Sequence, residues 1–409
     1  MAQYQITVDD AAVQRLFVRD DGLAKMVEQV VNQVLEAQAA EQVGAAPYER
    51  SDDRQGYRNG HRERPITTRI GRVVLEVPRL RSGPFSTDLF ERYQRSEQAL
   101  VLALMEMVIN GVSTRKVRAV VEELCGTEFS RSTVSDLCKR LDPIVHAWNE
   151  RDLSGQEYPF VLVDALVIRV RKDGRVRMQS VLVGTGVNRD GYREVLGLRV
   201  GDGESESAWS EFFVWLKGRG LRGVDLVVSD DHKGLEKAIM TQFQGATWQR
   251  CQTHFVRNIL DACPKSLQSE FHGRLRLMFD APDIETARGL LGGIIRDFGS
   301  KAPRAIERLE AGFEDAMAVM ALPSQYRKRL RTTNAIERLN EEIRRRERVV
   351  RIFPNEESAL RLLGAVLIEI DEGWAGGHRY FDMKDYWTWR EASRAAGPGN
   401  SRNSALEVA

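Results

Sequence analysis

The segment from residue 158 to residue 252 alternates between strand and helix patterns in one definite order. "YPFVLVDALVIRVR" is an almost unbroken apolar run rich in β-branched residues, which predicts a buried strand. The turn "KDGR", centred on Asp173-Gly174, leads to the strand "VRMQSVLVGTGV", and "YREVLGLRVG" predicts a third strand. Four elements follow in the order helix, strand, helix, strand: "SESAWSEFFVWLKGRG", "GVDLVVSD", "HKGLEKAIMTQF" and "ATWQRCQ".

Three antiparallel strands followed by alternating helix and strand constitute the order of the ribonuclease H-like fold. Ordinary doubly wound folds do not begin with a three-strand meander. We therefore predict an α/β domain of this class over residues 151–252 and 326–385. Residues 253–325 carry helical patterns without strand signals and predict an all-α insertion. The tail at 386–409 ends in "GPGNSRNSALEVA" and is expected to be disordered.

The N-terminal part predicts two smaller regions. Residues 1–48 contain the amphipathic helix "GLAKMVEQVVNQVLEAQAAEQVGA", which is either a dimerisation element or a core helix. Residues 49–95 combine an arginine-rich loop at 50–64 with the β-hairpin "PITTRIGRVVLEVPRLRSG", which turns at Gly71. A hairpin of this size has little core of its own, so we expect it to dock on another surface, for which DNA is a candidate.

Residues 96–150 predict a DNA-binding domain of three short helices. Breaks at Asn110-Gly111 and Gly126 separate the helices, and Ser113 and Ser130 stand where N-caps belong. This order matches a helix-turn-helix, whose last helix enters the major groove with Arg131, Ser132 and Thr133 foremost. An ordinary three-helix bundle is the alternative.

The net charge of the chain is only +1, but the positive charge is concentrated in two stretches. Residues 54–81 hold eight arginines and two acidic residues, and residues 327–351 hold ten basic and four acidic residues. The planar guanidinium suits phosphate, so this distribution favours nucleic-acid binding over a merely solvated surface. The candidate DNA contacts are Arg58, Arg62, Arg64, Arg79, Arg81, Arg115, Arg131, Ser132, Thr133, Lys139, Arg338, Arg344, Arg345, Arg346 and Arg348.

Two aspartates are candidates for chemistry. Asp164 interrupts an apolar strand, where an unpaired carboxylate is costly to bury unless it faces a cleft and binds a cation. Asp230 ends the fourth strand, and the carboxyl ends of such strands form active-site rims. The next residue, Asp231, is a rival that we expect instead as the first residue or N-cap of the following helix.

A third acid is expected from "TTNAIERLNEEIRRRERVVRIFPN", residues 332–355. Glu337 stands three residues after Asn334, which is also capping-box spacing and therefore permits a purely structural role. Glu341 lies one turn further on the same face. Glu342 and Glu347 point elsewhere and would pair with neighbouring arginines. Spacing alone leaves Glu337 and Glu341 both open.

Several long motifs resemble those of the bacterial Mutator-type insertion-sequence transposases. The resemblance covers roughly residues 45–380. It rests on "GYRNGHRER", "VPRLRSG", "NGVSTRKVRAVVEELCG", "VDALVIRVR", "VVSDDHKGL", "WQRCQTHFVRNIL" and "TTNAIERLNEEIRRRERVVRIFPNEESALRLLGAVLIEIDEGW". One departure is Asp231, where that family usually has a small residue.

The resemblance implies a DDE transposase with a ribonuclease H-like catalytic domain interrupted by an all-α insertion. It makes Asp164, Asp230 and Glu337 the catalytic acids and ligands of two Mg²⁺ ions, for which Mn²⁺ substitutes. Cys251 and His254 fall on the C-x-x-H signature, either supporting the active site or forming a structural junction. A zinc site there would lack a second ligand pair.

The implied reaction is cleavage at the 3′ ends of the element followed by strand transfer from the same site, with a circular copied intermediate. The expected partners are double-stranded DNA, as terminal inverted repeats and target, and a second copy of the chain. "MAQYQITVDD" is no signal peptide and no apolar run would span a membrane, so we expect a cytoplasmic, nucleoid-associated bacterial protein. The alternatives are a ribonuclease H-like nuclease without strand transfer and a DNA-binding regulator with an inactive domain.

Overall fold

The computed structural model describes residues 5–8, 10–18, 22–50, 52, 54–68, 70–81, 83–87, 89, 98–125 and 130–395. The chain divides into two compact units, residues 1–140 and 141–409. Both units contain helices, and the second contains a five-stranded mixed sheet, so the predicted α/β class is confirmed.

The first unit begins with helices α1 (Asp10–Val18) and α2 (Gly22–Val43) and the antiparallel hairpin of β1 (Arg58–Thr68) and β2 (Gly71–Leu80). Strand β1 thus starts inside the segment that we expected to be a loop. The hairpin has a core within this chain, because Leu35 of α2 packs with Ile66, Val73, Leu75 and Val77. Alternate residues of β2 face α2, as a strand period of two requires. This packing favours a core role for α2.

Three short helices complete the first unit: α3 (Gln98–Ile109), α4 (Thr114–Cys125) and α5 (Arg131–Cys138). They share the core residues Leu100, Leu104, Val117, Val121, Val134 and Cys138. Both predicted N-caps are confirmed. The Ser113 hydroxyl accepts the Lys116 N–H at 3.3 Å, and the Ser130 hydroxyl accepts the Thr133 N–H at 3.0 Å. The predicted break at Gly126 lies outside the described residues.

The second unit contains α6 (Asp142–Asn149), β3 (Phe160–Lys172), β4 (Arg175–Val187), β5 (Arg193–Gly201), α7 (Glu206–Gly218), β6 (Leu226–Ser229), α8 (Lys233–Gln242) and β7 (Thr247–Arg250). All seven elements predicted between residues 158 and 252 are present. The sheet order is β5-β4-β3-β6-β7, with β3, β4 and β5 antiparallel and β6 and β7 parallel to β3. The β3–β4 turn has positive φ at Asp173 and Gly174, as expected of its sequence.

The helices described after β7 are α9 (Gln252–Asp261), α10 (Gln268–Phe279), α11 (Ile284–Phe298), α12 (Pro303–Met317), α13 (Ser324–Leu330), α14 (Asn334–Val350), α15 (Glu356–Ala375) and α16 (Lys384–Ala395). Helices α9 to α12 enclose a core of their own that includes Phe271, Leu275, Phe298 and Phe313. None of the helices that the structure describes is long and apolar enough to cross a membrane.

Both faces of the sheet are buried. Val161, Val163 and Val227 contact the aromatic face of α7, where Trp209 and Phe213 are fully buried. On the other face, Phe160, Leu162 and Val228 pack with α13 and α16 in a second cluster. Burial of both faces explains why β3 reads as a nearly continuous apolar run.

The chain is ordered beyond residue 386, where we expected a disordered tail to begin. Tyr386 and Arg390 of α16 are buried, and Arg390 forms ion pairs with Glu157 at 2.7 Å and Asp225 at 2.6 Å. The prediction of disorder rested on the Gly- and Ser-rich end of the chain and overlooked the aromatic residues before it, which belong to α16. Residues 396–409 lie outside the described residues.

Helices α6 and α15 approach closely at Gly364. A Cβ atom at this position would lie 2.3 Å from Cγ1 of Val145, whereas a Cβ atom at Gly373 of the same helix would have no neighbour within 4 Å. Gly364 is therefore required by packing, and Gly373 is not.

We predict opposite effects for Gly364→Ala and Gly373→Ala. The first should lower the free energy of unfolding by about 1–3 kcal/mol, because the branched Val145 side chain cannot swing away. The second should raise it by about 0.4–1 kcal/mol through the loss of backbone freedom in the unfolded chain. Urea unfolding of the full chain measures both. Equal effects of the two variants would contradict the packing argument, and Val145→Ala should relieve the first.

Candidate active site

Asp164 lies on β3, and Asp230 directly follows β6, the parallel neighbour of β3. In the parallel pair of β3 and β6, Leu162 stands opposite Val228. The two aspartates are each two residues further along, and side chains two apart in a strand share a face. Strand β6 ends at Ser229, while β3 continues to Lys172. The carboxylate of Asp164 therefore lies where β3 loses its neighbour, and Asp230 lies on the edge of the same opening.

Helix α14 lies beside β3 at this opening. Nδ2 of Asn340 donates a hydrogen bond to Oδ2 of Asp164 at 2.8 Å, and the Ala165 N–H donates to Oδ1 at 2.9 Å. Asn340 is buried, and its Oδ1 atom is buried without a hydrogen-bond partner among the described residues. Glu337 is three residues earlier, which places it on the same side of the helix as Asn340.

The ionisation of Asp164 reflects these neighbours. Burial raises its pKa to about 6, and the negative charge of Asp230 contributes to the rise. Glu337 raises the same pKa further, whereas His254 and the Ala165 N–H lower it. Asp230 and Glu337 are thus both close enough to raise the pKa of Asp164, although the three acids are separated by 66 and 107 positions in the chain.

Cys251 and His254 are part of the same site. Nε2 of His254 lies 3.6 Å from Oε1 of Glu337, and Thr333 donates its N–H and its hydroxyl to Sγ of Cys251 at 3.3 and 3.2 Å. A hydrogen bond with Cys251 raises the pKa of His254 to about 9. Burial alone would raise the pKa of Cys251, but hydrogen bonds from His254 and Thr333 lower it. The two shifts have a common cause in the hydrogen bond between Cys251 and His254.

The donor atoms form two overlapping sets. Asp164, Asp230 and Glu337 offer carboxylate oxygens, which suit a hard cation such as Mg²⁺. Cys251, His254 and Glu337 offer ligand atoms within 4.8 Å of one another. This second set provides three of the four ligands of a structural zinc site, and its Glu337 is shared with the aspartates.

The two acids that were alternatives for this site, Asp231 and Glu341, are respectively paired with an arginine and exposed. Asp231 is neither the first residue nor the N-cap of α8, which begins at Lys233 after His232, so our expectation for it was wrong. Its carboxylate pairs with Arg250 at 2.6 Å. Glu341 is exposed, whereas Glu337 is half-buried beside His254.

The capping-box alternative for Glu337 is also wrong. Helix α14 begins one residue earlier than that alternative requires, with Asn334 as its first residue and Thr333 as its N-cap. Glu337 is consequently one position beyond the capping-box position, and its N–H bonds to the Thr333 carbonyl within the helix. Its side chain is free to take part in the acid cluster.

The arginines of α14 fall into two groups. Arg344 and Arg348 are exposed, and Arg345 is exposed although it pairs with Glu342 at 3.2 Å. Arg346 is only 4% exposed and also pairs with Glu342, so it cannot reach a ligand as we expected. The period of the helix turns this one arginine inward, and the predicted pairing of Glu342 is confirmed.

The predicted DNA contacts of the first unit are mostly exposed. Arg58 is one exception, since it is half-buried and donates to the Ala45 carbonyl at 3.0 Å. Lys139 is exposed but pairs with Asp136 at 2.8 Å. The side chain of Arg131 lies outside the described residues, and Arg64 is half-buried. The exposed candidates are Arg62, Arg79, Arg81, Arg115, Ser132 and Thr133.

Comparisons with known proteins agree with one another. The family model described as "Transposase, Mutator family" matches residues 1–377. The chain is 44% identical over 386 residues to the transposase for insertion sequence element IS256 in transposon Tn4001 of Staphylococcus aureus, covering 93% of this chain and 99% of the relative. It is 46% identical over 379 residues to the transposase for insertion sequence element ISRM5 of Rhizobium meliloti, covering 93% and 95%.

We predict that Asp164→Asn stabilises the metal-free protein above pH 6. The pKa of Asp164 in the folded chain, about 6, exceeds the usual value of 3.8. Its contribution to stability is therefore present in full below about pH 4 and is lost as pH rises through 6. The variant should gain up to about 3 kcal/mol at pH 8 and almost nothing at pH 4.

Urea unfolding in the presence of a chelator measures this difference at several pH values. Glu341→Gln, which removes an exposed carboxylate from the same region, is the matched control. A gain for Asp164→Asn that does not change with pH would contradict the prediction.

Proposed function

This chain belongs to the Mutator family of transposases, and we propose that it is a DDE transposase acting on the ends of its own insertion sequence. It would bind the terminal inverted repeats, cleave DNA strands in a Mg²⁺-dependent reaction and transfer the freed ends to target DNA. The observation that carries this proposal is the cluster of Asp164, Asp230 and Glu337 at the opening beside β3.

The topology of the second unit supports a ribonuclease H-like assignment. Its sheet has three antiparallel strands followed by two parallel strands on the far side of β3. Helices α9 to α12, with their separate core, would then be the all-α insertion between the second and third acids. The insertion would leave the sheet after β7 and return to it with α13 and α14.

The acid cluster fits a hard cation. The negative charges of Asp230 and Glu337 both raise the pKa of Asp164 in the metal-free protein, and the positive charge of a bound cation would offset that repulsion. Asp164, Asp230 and Glu337 would hold two Mg²⁺ ions, or Mn²⁺ in their place. When bound, such ions polarise the phosphoryl oxygens and lower the pKa of the attacking water or 3′-hydroxyl.

The neighbouring side chains would fix these ligands. Asn340 holds Oδ2 of Asp164, so that the carboxylate cannot turn back into the sheet. Nε2 of His254 lies 3.6 Å from Oε1 of Glu337, and the Thr333 hydroxyl lies 3.4 Å from the same oxygen. Cys251 and His254 therefore act in this proposal as positioning residues for Glu337, which connects the C-x-x-H signature to the acids.

The first unit would bind the element ends. Helices α3 to α5 would form a helix-turn-helix, with α5 entering the major groove and the exposed arginines of the hairpin contacting phosphates. The Ser132 and Thr133 hydroxyls bond to the Ser130 hydroxyl at 2.7 and 2.8 Å, which fixes the start of α5. A homodimer that pairs the two ends completes the proposal.

We expect Glu337→Gln to abolish cleavage while end binding persists. The variant should lose at least about 1,000-fold in cleavage rate on a duplex that carries the terminal repeat with Mg²⁺, because the acids act as one unit. Binding of the same duplex should change less than about twofold, since phosphate contacts dominate affinity. Glu341→Gln should cleave like the wild type.

Full activity of Glu337→Gln would refute the assignment. A strand-transfer assay with pre-cut ends separates the proposal from its nearest alternative, because a nuclease of the same fold would yield no joined product. A regulator with an inactive domain would bind the ends and cleave nothing under any metal.

Loss of the Asn340 side chain should weaken metal binding more than catalysis. We expect Asn340→Ala to raise the Mg²⁺ concentration for half-maximal cleavage about 10-fold or more, a common cost of losing a group that orients a metal ligand. The rate at saturating Mg²⁺ should approach that of the wild type. A lower rate with unchanged Mg²⁺ dependence would contradict this role.

A further inference from the structure

Three arginines near the start of α14 form no ion pair with any carboxylate among the described residues. Arg193 is the first residue of β5, Arg329 belongs to α13, and Arg338 directly follows Glu337. Other arginines of the second unit do have such partners: Arg331 pairs with Asp280 at 2.7 Å, and Arg151 pairs with Asp371 at 3.4 Å.

Aromatic rings hold two of these guanidinium groups. The guanidinium carbon of Arg193 lies 4.2 Å from the Trp374 ring centroid and 4.5 Å from that of Tyr380. Arg329 lies 4.9 Å from the same Tyr380 ring and also donates to the Tyr380 carbonyl. Tyr380 therefore connects the two arginines, and each stacked contact fixes a side chain that would otherwise be mobile.

The segment that carries Tyr380 is itself firmly attached. The N–H groups of Tyr380 and Phe381 both donate to the Gly191 carbonyl, at 2.8 and 3.1 Å. Gly191 has a φ of +88°, and a Cβ atom there would lie 2.0 Å from the Phe381 carbonyl oxygen. Only glycine permits this approach. The rings and the loop before β5 thus form one rigid support.

Positive charge accumulates at this support without a counterion. Burial lowers the pKa of Arg193, and the charges of Arg329 and Arg338 lower it further. The same three arginines also lower the pKa of Tyr380, although burial raises it overall. Arg338 therefore lies within electrostatic reach of the other two. An anion that joins the three arginines would offset their repulsion.

We propose that Arg193, Arg329 and Arg338 form an arginine clamp for a backbone phosphate of the DNA strand that enters the acid cluster. Arg338 adjoins Glu337, so the bound phosphate would lie close to the scissile bond. Guanidinium groups bind phosphate through paired N–H donors, and Arg329 keeps N–H donors other than the Nη1 group that bonds to the Tyr380 carbonyl. This inference rests on the proposed function, and it adds a contact that orients the strand.

An arginine with a purely structural role is expected to be buried and paired with carboxylates. Arg390 is such a residue, since it is buried and pairs with Glu157 and Asp225. Arg329 and Arg338 are exposed instead, and Arg193 is half-buried with its guanidinium between two rings. Rings hold Arg193 and Arg329, Arg329 and Arg338 are open to solvent, and none of the three pairs with a described carboxylate, an arrangement that suits an anion arriving from outside.

The test combines arginine variants with neutral phosphates in the DNA. Arg193→Gln and Arg329→Gln should each weaken binding of a terminal-repeat duplex about 10-fold. Each should also make the slope of log K against log salt shallower by about 0.9. Arg175→Gln, which removes an exposed arginine at the β3–β4 turn, is the matched control and should change neither quantity by as much.

A set of duplexes with single methylphosphonate substitutions around the cleavage site then locates the contact. One substitution should slow wild-type cleavage about 10-fold and have no further effect on Arg329→Gln, because the contact is already lost. Equal sensitivity of wild type and variant at every position would overturn the clamp. Since Arg329 is exposed, its variant also answers the question if Arg193→Gln fails to fold. Failure of the wild type to cleave any terminal repeat would instead overturn the proposed function.

Discussion

The second unit depends on a carboxylate placed in the middle of its central strand. Asp164 occupies a position where every neighbour in the sequence is apolar, and the sheet can tolerate it only because β6 stops before reaching it. The gap left by β6 is filled by α14, whose Asn340 bonds to the carboxylate. These three features depend on one another: the short strand β6, the position of α14 and the grouping of the acids.

Helix α14 is held at both ends by segments distant in the sequence. At its start, Thr333 donates to Cys251, and the Gln252 N–H bonds to the Arg331 carbonyl at 2.9 Å. After its end, Phe353 exchanges backbone hydrogen bonds with β3, accepting from Arg171 at 2.9 Å and donating to Arg169 at 2.8 Å. These anchors keep Glu337 and Asn340 in place on a helix whose exposed side is strongly charged.

Local patterns predicted the elements of this protein well. Apolar runs identified the strands, Asp173-Gly174 identified their turn, and Ser113 and Ser130 identified two helix starts, because each of these signals acts within a few residues. Contacts between segments that are distant in the sequence could not be predicted from these local patterns. That α2 covers the hairpin and that Arg346 points inward depend on tertiary packing.

The residues of the candidate site could likewise be predicted only where they carry a local signal. The acids Asp164, Asp230 and Glu337 can be selected from sequence, since carboxylates are unusual in such places, but spacing could not decide between Glu337 and Glu341. Asn340, Arg193 and Arg329 carry no local signal at all. An asparagine on a polar helix and arginines on a surface are ordinary until the fold brings them to a carboxylate or to aromatic rings.

The double attachment of α14 also has a consequence for the chain as it is synthesised. Strands β3 and β6, with their two aspartates, leave the ribosome long before the helix that supplies Glu337, and the whole of α9 to α13 lies between them. The anchor at the start of α14 requires Cys251 and the anchor after its end requires β3 and Phe353, so the helix is held at both ends only after Phe353 has been translated. A chain that ends before α14 therefore carries the two aspartates without Glu337, and the acid cluster is complete only after that helix has been translated.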